Sequence, residues 1–281
     1  MERDQDLRVG NGEALGRTGM SIPSKPQTTR LVIGGLSITA LTRQEWAERF
    51  LDDLRANPSR DNPPRFMTSA NGQVLSLAAR DPSFKEALGR ADGIDADGMP
   101  LVIASRLLSP RPIPERVATT DFFHDLAAAG AARRLTFFML GATAAENARA
   151  VAAVRSRYPG LKVVGHHGYF SLEEEDGLVA QIVASGADIL WVGLGVPREH
   201  EFVVRNLHRL QGVTWVKTCG GLMNFLSGKH SRAPAVMRDL GLEWAYRLLL
   251  EPRRLFWRYA FTNIHCLYLM ATRRRAEPLA E

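Results

Sequence analysis

LTFFML (135–140), TAAENARAVAAVRSRY (143–158), LKVVGHH (161–167), LEEEDGLVAQIVAS (172–185), DILWVGLG (188–195), REHEFVVRNLHRL (198–210) and VTWVKTCG (213–220) follow one another in the second half of the chain. The first, third, fifth and last pieces are near-continuous apolar runs, as expected of parallel strands buried on both faces. The pieces between them are amphipathic, with apolar residues recurring near every 3.6 positions, as helices require. Strict alternation of the two patterns predicts an α/β fold: a doubly wound, mostly parallel sheet with helices on both faces.

The pattern extends upstream through LVIGGLSI (31–38), TRQEWAERFLDDLRAN (42–57), RFMTS (65–69) and NGQVLSLAAR (71–80). Residues 1–29 are rich in Gly, Arg, Asp, Ser and Pro and lack periodicity, which predicts a disordered tail. They contain no apolar core of a secretory signal. Downstream of Gly221 no strand is expected. RAPAVMRDLGLEWAYRLLLE (232–251) reads as helix, Pro252 marks a break, and a second helix follows to about Arg273. The expected organisation is a tail at 1–29, an α/β domain at 30–230, a helical membrane-associating appendage at 231–273, and a frayed tail at 274–281.

The 281 residues are 45% apolar, enough for a substantial core, and carry a net charge of +6. That excess suits nucleic acid, anionic lipid or a phosphorylated ligand, and charge alone does not choose between them. The two cysteines, Cys219 and Cys266, are far apart in sequence and suggest neither a disulfide framework nor a zinc site. The run from Leu255 to Ala271 is interrupted by Arg258, Asn263 and His265, so a helix lying on a membrane is expected here, not one crossing it.

In open α/β sheets ligands bind beyond the carboxyl ends of the strands. Five loops there carry polar chemistry. In TSANGQ (68–73), Asn71 suits a helix cap and Ser69 a polar ligand contact. In DGIDADGMP (92–100), Asp97 stands before a glycine at a strand end, either as a turn residue or as a functional acid. Asp95-Ala96-Asp97 also has the form of a metal-binding Asp-x-Asp, a match short enough to arise by chance. In PERVATTD (114–121), Arg116 precedes a helix start, where an anion site can form. GLGVPREHEF (193–202) has a tight Gly193–Gly195 turn but lacks the remaining glycine of a dinucleotide fingerprint. CGGLMNFLSGKHSRAP (219–234) offers Gly220–Gly221 for close approach of backbone to phosphate, without the spacing of a Walker loop. The adjacent His166 and His167 point to opposite faces of a strand and are read as satisfied loop histidines.

In this order the segments resemble the WecG/TagA/CpsF family of bacterial glycosyltransferases over about residues 31–260. Ser69–Asn71, Asp95–Pro100, Glu115–Val117, Gly165–Phe170, Gly193–Pro197, the Gly220-to-Pro234 loop and LEWAYRLLLEPRRLFWRY (242–259) carry the likeness. The resemblance implies an inverting, metal-independent transfer. Its donor is a UDP-sugar, often of N-acetylmannosamine type, and its acceptor a sugar on a polyprenyl pyrophosphate, met as a peripheral protein on the cytoplasmic face of the cell membrane. No cofactor and no nucleic-acid partner are expected. Asp97 is the candidate base and Arg116 the second catalytic candidate. Substrate contacts are expected at Ser69, Asn71, Gly141, Gly193, Gly195, Pro197, Glu199, Gly220, Gly221, Arg247, Arg253 and Arg254. Two departures stand out. Glu199-His200 replaces the family's Gln-Glu, exchanging an amide for an acid, and Ala118-Thr119-Thr120 follows Val117 where Thr-Gly is usual. The alternatives are a nicotinamide-dependent oxidoreductase and a basic membrane- or nucleic-acid-binding protein.

Overall fold

The computed structural model describes residues 29–56, 62–239 and 241–275. The expected tail at 1–29, Thr29 apart, and residues 276–281 lie outside them. In chain order the elements are β1 (Arg30–Ile33), β2 (Leu36–Thr39), α1 (Arg43–Ala56), β3 (Arg65–Ala70), α2 (Gly72–Ala78), α3 (Pro82–Gly89), β4 (Gly93–Ala96), α4 (Met99–Leu108), α5 (Thr119–Ala132), β5 (Thr136–Gly141) and α6 (Ala144–Arg157). They continue with β6 (Lys162–His166), α7 (Leu172–Ala184), β7 (Ile189–Gly193), α8 (Arg198–Asn206), β8 (Trp215–Thr218), α9 (Leu222–Leu226), α10 (Ala235–Asp239), α11 (Glu243–Leu250), α12 (Pro252–Thr272) and β9 (Arg274–Arg275).

Six strands form one sheet in the order β4-β3-β8-β7-β5-β6, and every pairing in it is parallel. The two-residue period of the strands divides their side chains between two cores. Phe137, Met139, Trp191 and Trp215 face α1, α5, α6 and α9, where they meet Trp46, Phe50, Phe122 and Val151. Phe138, Leu140, Leu190, Val192 and Val216 face the other way, onto Leu178 and Ile182 of α7 and Phe202 of α8. This is the doubly wound arrangement read from the sequence. Capping boxes start α6, with Thr143 and Glu146, and α7, with Ser171 and Glu174.

Two expectations are corrected. LVIGGLSI does not enter the main sheet as one strand. It folds back on itself, with Gly34 and Gly35 both at positive φ (61° and 87°), and pairs β1 antiparallel with β2. A two-residue turn with two positive φ angles is the tight hairpin connection that Gly-Gly allows. Nor do strands end at Gly221: β9 pairs antiparallel with β1, so Arg274 and Arg275 of the expected frayed tail join a three-stranded sheet ordered β2-β1-β9.

A third core joins this hairpin to the last helix. Leu31, Ile33, Leu36 and Ile38 pack with Val74, Leu75, Leu101, Cys266, Leu269 and Met270. One stripe of α12 is thus core, while Trp257, Phe261, Ile264 and Tyr268, spaced by four, three and four residues, are exposed on another. Among the described residues no helix is long and apolar enough to cross a membrane.

Candidate active site

The carboxyl ends of β3, β4, β7 and β8 open into a cavity of about 950 Å³, roofed by α11 and α12 and by the loop through Lys229, His230 and Arg232. Its position follows from strand order, because β3 lies between β4 and β8 and collects the loops of both.

Ser69 and Asn71 leave β3 into the cavity. Asn71 also caps α2, its side chain accepting from the Gln73 and Val74 amides. Asp97 leaves β4 half-buried in the cavity wall, with its own amide and that of Gly98 held by the Ala70 carbonyl at 3.0 and 3.3 Å. Burial raises the Asp97 pKa; Arg116 opposes the rise and Glu243 reinforces it. The Val117 amide donates to the Ala96 carbonyl at 2.9 Å, which brings the Arg116 loop alongside β4. Arg116 lines the cavity and is paired with Glu243 of α11 at 2.8 Å. Arg232 pairs with Asp121 and lies 4.0 Å from the same Glu243 oxygen. Lys229 pairs with Glu146 at 2.5 Å. Arg247 stands 5.1 Å from the Phe225 ring centroid, within cation–π range.

Of the residues expected to contact substrate, Ser69, Asn71, Gly193, Gly195, Glu199, Gly220, Gly221 and Arg247 line the cavity, together with Asp97 and Arg116. Gly141, Pro197 and Arg253 are not in its lining. Gly141 serves close strand packing: with φ at 147°, a Cβ there would lie 2.3 Å from the Gly193 carbonyl oxygen. Pro197 follows a cis peptide bond at the start of α8. Arg253 is exposed on the first turn of α12, and the side chain of Arg254 lies outside the described part of the structure.

Behind the cavity wall lies a polar network largely absent from the sequence reading. Lys217, fully buried on β8, reaches Ser69 Oγ at 2.6 Å, the Thr218 carbonyl at 3.2 Å and Asp95 Oδ2 at 3.0 Å. Ser69 Oγ donates to the same Asp95 oxygen at 3.0 Å. Burial pushes Asp95 up to about 6, against the attraction of Lys217. Thr218 Oγ1 donates to Thr68 Oγ1 at 2.7 Å, which in turn meets His200 Nε2 at 2.8 Å. Burial, aided by Lys217, takes His200 down to about 3, so its ring is neutral. Lysine inside the otherwise apolar run VTWVKTCG was the available signal, since a buried ammonium requires partners. Asp95 therefore serves the interior while Asp97 faces the cavity. Among the described residues no group of three or more His, Cys, Asp or Glu is placed to hold a metal ion. His166 and His167 lie apart from this site, with His166 Nδ1 meeting the His167 carbonyl and His167 Nδ1 accepting from the Tyr169 amide. The expected opposite facing is corrected, because β6 ends at His166 and the two ring centroids come within 4.3 Å of each other in one small recess.

Glu199, at the start of α8, is 3% exposed. Its Oε2 accepts from the Gly220 amide at 3.0 Å and the Gly195 amide at 3.1 Å. Burial pushes the carboxyl up to about 7, and those two amides pull against the rise.

A cleft at the carboxyl edge of a parallel sheet, with an acid in its wall and arginine and lysine side chains converging on it, is the place where an α/β protein can take an anionic ligand. The chain belongs to the glycosyl transferase WecG/TagA/CpsF family, whose model matches residues 31–279, and it is a glycosyltransferase. Among similar proteins are the N-acetylglucosaminyldiphosphoundecaprenol N-acetyl-beta-D-mannosaminyltransferases of Staphylococcus aureus strains NCTC 8325 / PS 47 and COL. Each is 28% identical over 236 residues, spanning 84% of this chain and 91% of the relative.

Proposed function

We propose that this glycosyltransferase moves a sugar from a UDP-sugar, of N-acetylmannosamine type or another hexose, to a sugar on a polyprenyl diphosphate, as a step in cell-surface polysaccharide synthesis. The observation that carries the reading is the placing of Asp97 and the cations Arg116, Lys229, Arg232 and Arg247 around one cavity. The names of the relatives, which specify a mannosaminyl transfer to a diphosphoundecaprenol-linked sugar, support it.

Asp97 takes the proton of the acceptor hydroxyl as that oxygen attacks the anomeric carbon. The bond from that carbon to the diphosphate oxygen breaks on the opposite face, so configuration inverts and UDP leaves with the electron pair. Its added charge is met by guanidinium and ammonium groups already in place, so little reorganisation accompanies bond cleavage. The raised pKa of Asp97 makes it a stronger base than an exposed aspartate.

The acceptor's lipid tail calls for a protein at a membrane surface, and we place this one at the inner face of the cytoplasmic membrane. The exposed Trp257, Phe261, Ile264 and Tyr268 stripe of α12 supplies apolar and interfacial aromatic contact. Neither a nucleic-acid partner nor a cofactor belongs to this reading.

The test is incubation with a panel of UDP- and GDP-sugars and a short-chain polyprenyl-diphosphate-linked N-acetylglucosamine. UDP release that depends on the acceptor is the expected result. Absence of transfer across the panel, or binding of NAD or RNA instead, overturns the proposal.

A further inference from the structure

The two glycine turns flooring the cavity touch each other and share one buried anchor. A Cβ on Gly193 would lie 2.7 Å from the Gly220 carbonyl oxygen, so the turn after β7 and the turn after β8 are in backbone contact. Gly195 and Gly220 both take positive φ, 81° and 50°. The hydrogen bonds that join β7 to β8 are continued past the strand ends by the Cys219 amide on the Val192 carbonyl at 2.7 Å. Beyond that point the strands no longer hold the two turns to one another, and Glu199 does. Its single oxygen Oε2 accepts from both glycine amides, while its own amide donates to the Gly195 carbonyl at 2.9 Å.

We propose that Glu199 is a positioning residue for the transfer reaction: its carboxylate clamps the Gly195 and Gly220 amides and fixes the two turns against which the substrate lies. Backbone amides in glycine turns can cradle an anion, but these two are already committed to an internal one. Recognition of the diphosphate therefore falls to other groups, among them the Arg247 side chain in the same cavity. A buried carboxylate carries a desolvation cost that its partners must offset, and amide hydrogen bonds to a charged acceptor are stronger than those to a neutral one. The result is a rigid joint where the strand hydrogen bonds have run out.

The proposal rests on the transferase reading for its kinetic arm only. Glu199→Gln keeps one carbonyl oxygen able to accept both amides. Glu199→Ala keeps none. In hydrogen exchange on the full chain, peptides covering Gly195 and Gly220 are expected to keep wild-type protection in E199Q and to exchange markedly faster in E199A, with the rest of the sheet unchanged. With a UDP-sugar and acceptor that the wild type turns over, E199A is expected to lose kcat/KM by roughly 10²-fold, the scale on which about an ångström of misplacement acts, while E199Q stays within several-fold of wild type. Equal loss in both variants would mean that the carboxylate meets the substrate itself, and overturns the positioning role. Unchanged exchange in E199A overturns the clamp. If E199A does not fold, Glu199→Asp decides: its carboxylate, one methylene short, is expected to release at least one amide, and wild-type exchange in E199D overturns the proposal. Failure of the wild type to use any UDP-sugar removes the transferase reading and leaves the exchange result to judge the clamp alone.

Discussion

Lys217 on β8 and Asp95 on β4 form a fully buried ion pair, 3.0 Å apart, that reaches across the intervening strand β3. Ser69 of β3 bonds to both partners and also lines the cavity. The pair thus ties the edge of the sheet to its middle directly behind the substrate cleft. It fixes the orientation of a hydroxyl that belongs to both interior and site.

Removing Lys217 leaves a buried carboxylate without its counter-ion. Lys217→Met is expected to cost about 3–5 kcal/mol, the usual penalty for breaking a buried pair from one side. Asp95 already sits at about 6 in the folded protein, above its ordinary 3.8. Its own linkage is therefore favourable at acid pH and is lost as pH rises through that interval. Without Lys217 the value climbs further, so the deficit of the variant is greatest above the wild-type value and narrows below it. Urea unfolding of both proteins across pH checks this; a deficit independent of pH contradicts it.

Asp97→Asn is expected to lower kcat by roughly 10²–10⁴-fold with donor binding nearly intact, the range for loss of a general base. Because burial raises the Asp97 pKa, wild-type kcat/KM should fall with decreasing pH at a value above the ordinary carboxylate range, and this limb should vanish in the variant. Near-normal turnover by Asp97→Asn removes the assignment.

Turnover is expected to survive excess EDTA, since guanidinium and ammonium groups around the cavity can meet the charge of departing UDP. Loss of activity with EDTA and its return with Mn²⁺ or Mg²⁺ would reassign that task to a metal.

Truncation after Gly228 does not isolate the membrane role of the C-terminal helices, because Cys266, Leu269 and Met270 of α12 share a core with the β1–β2 hairpin. Such a truncated chain is expected to unfold. Charge placed on the exposed stripe separates the two roles. Trp257→Glu with Phe261→Glu should leave the melting temperature within a few degrees of wild type while weakening sedimentation with anionic liposomes. Undiminished liposome binding by this double variant would show that the stripe is not the docking face.

The sequence by itself determined the alternation of strands and helices from β5 to β8, the two-faced sheet and the loops that carry its chemistry. Each of these is local: a period of two or of 3.6, a glycine after an apolar run, an asparagine where a helix begins. It placed Ser69, Asn71 and Asp97 at the ends of β3 and β4 for the same reason, and Glu199 in the segment that follows β7. Tertiary structure alone decided which ends meet. Lys217 and Ser69 are 148 residues apart in sequence and touch only because β8 inserts beside β3. Periodicity says which face a residue shares with its own strand, not which strand lies next to it. The same limit hid the partnership of Arg116 with Glu243 and the return of Arg274–Arg275 to pair with β1. It also hid the split character of α12, where the stripe that is core and the stripe left exposed differ only in what the fold brings against them.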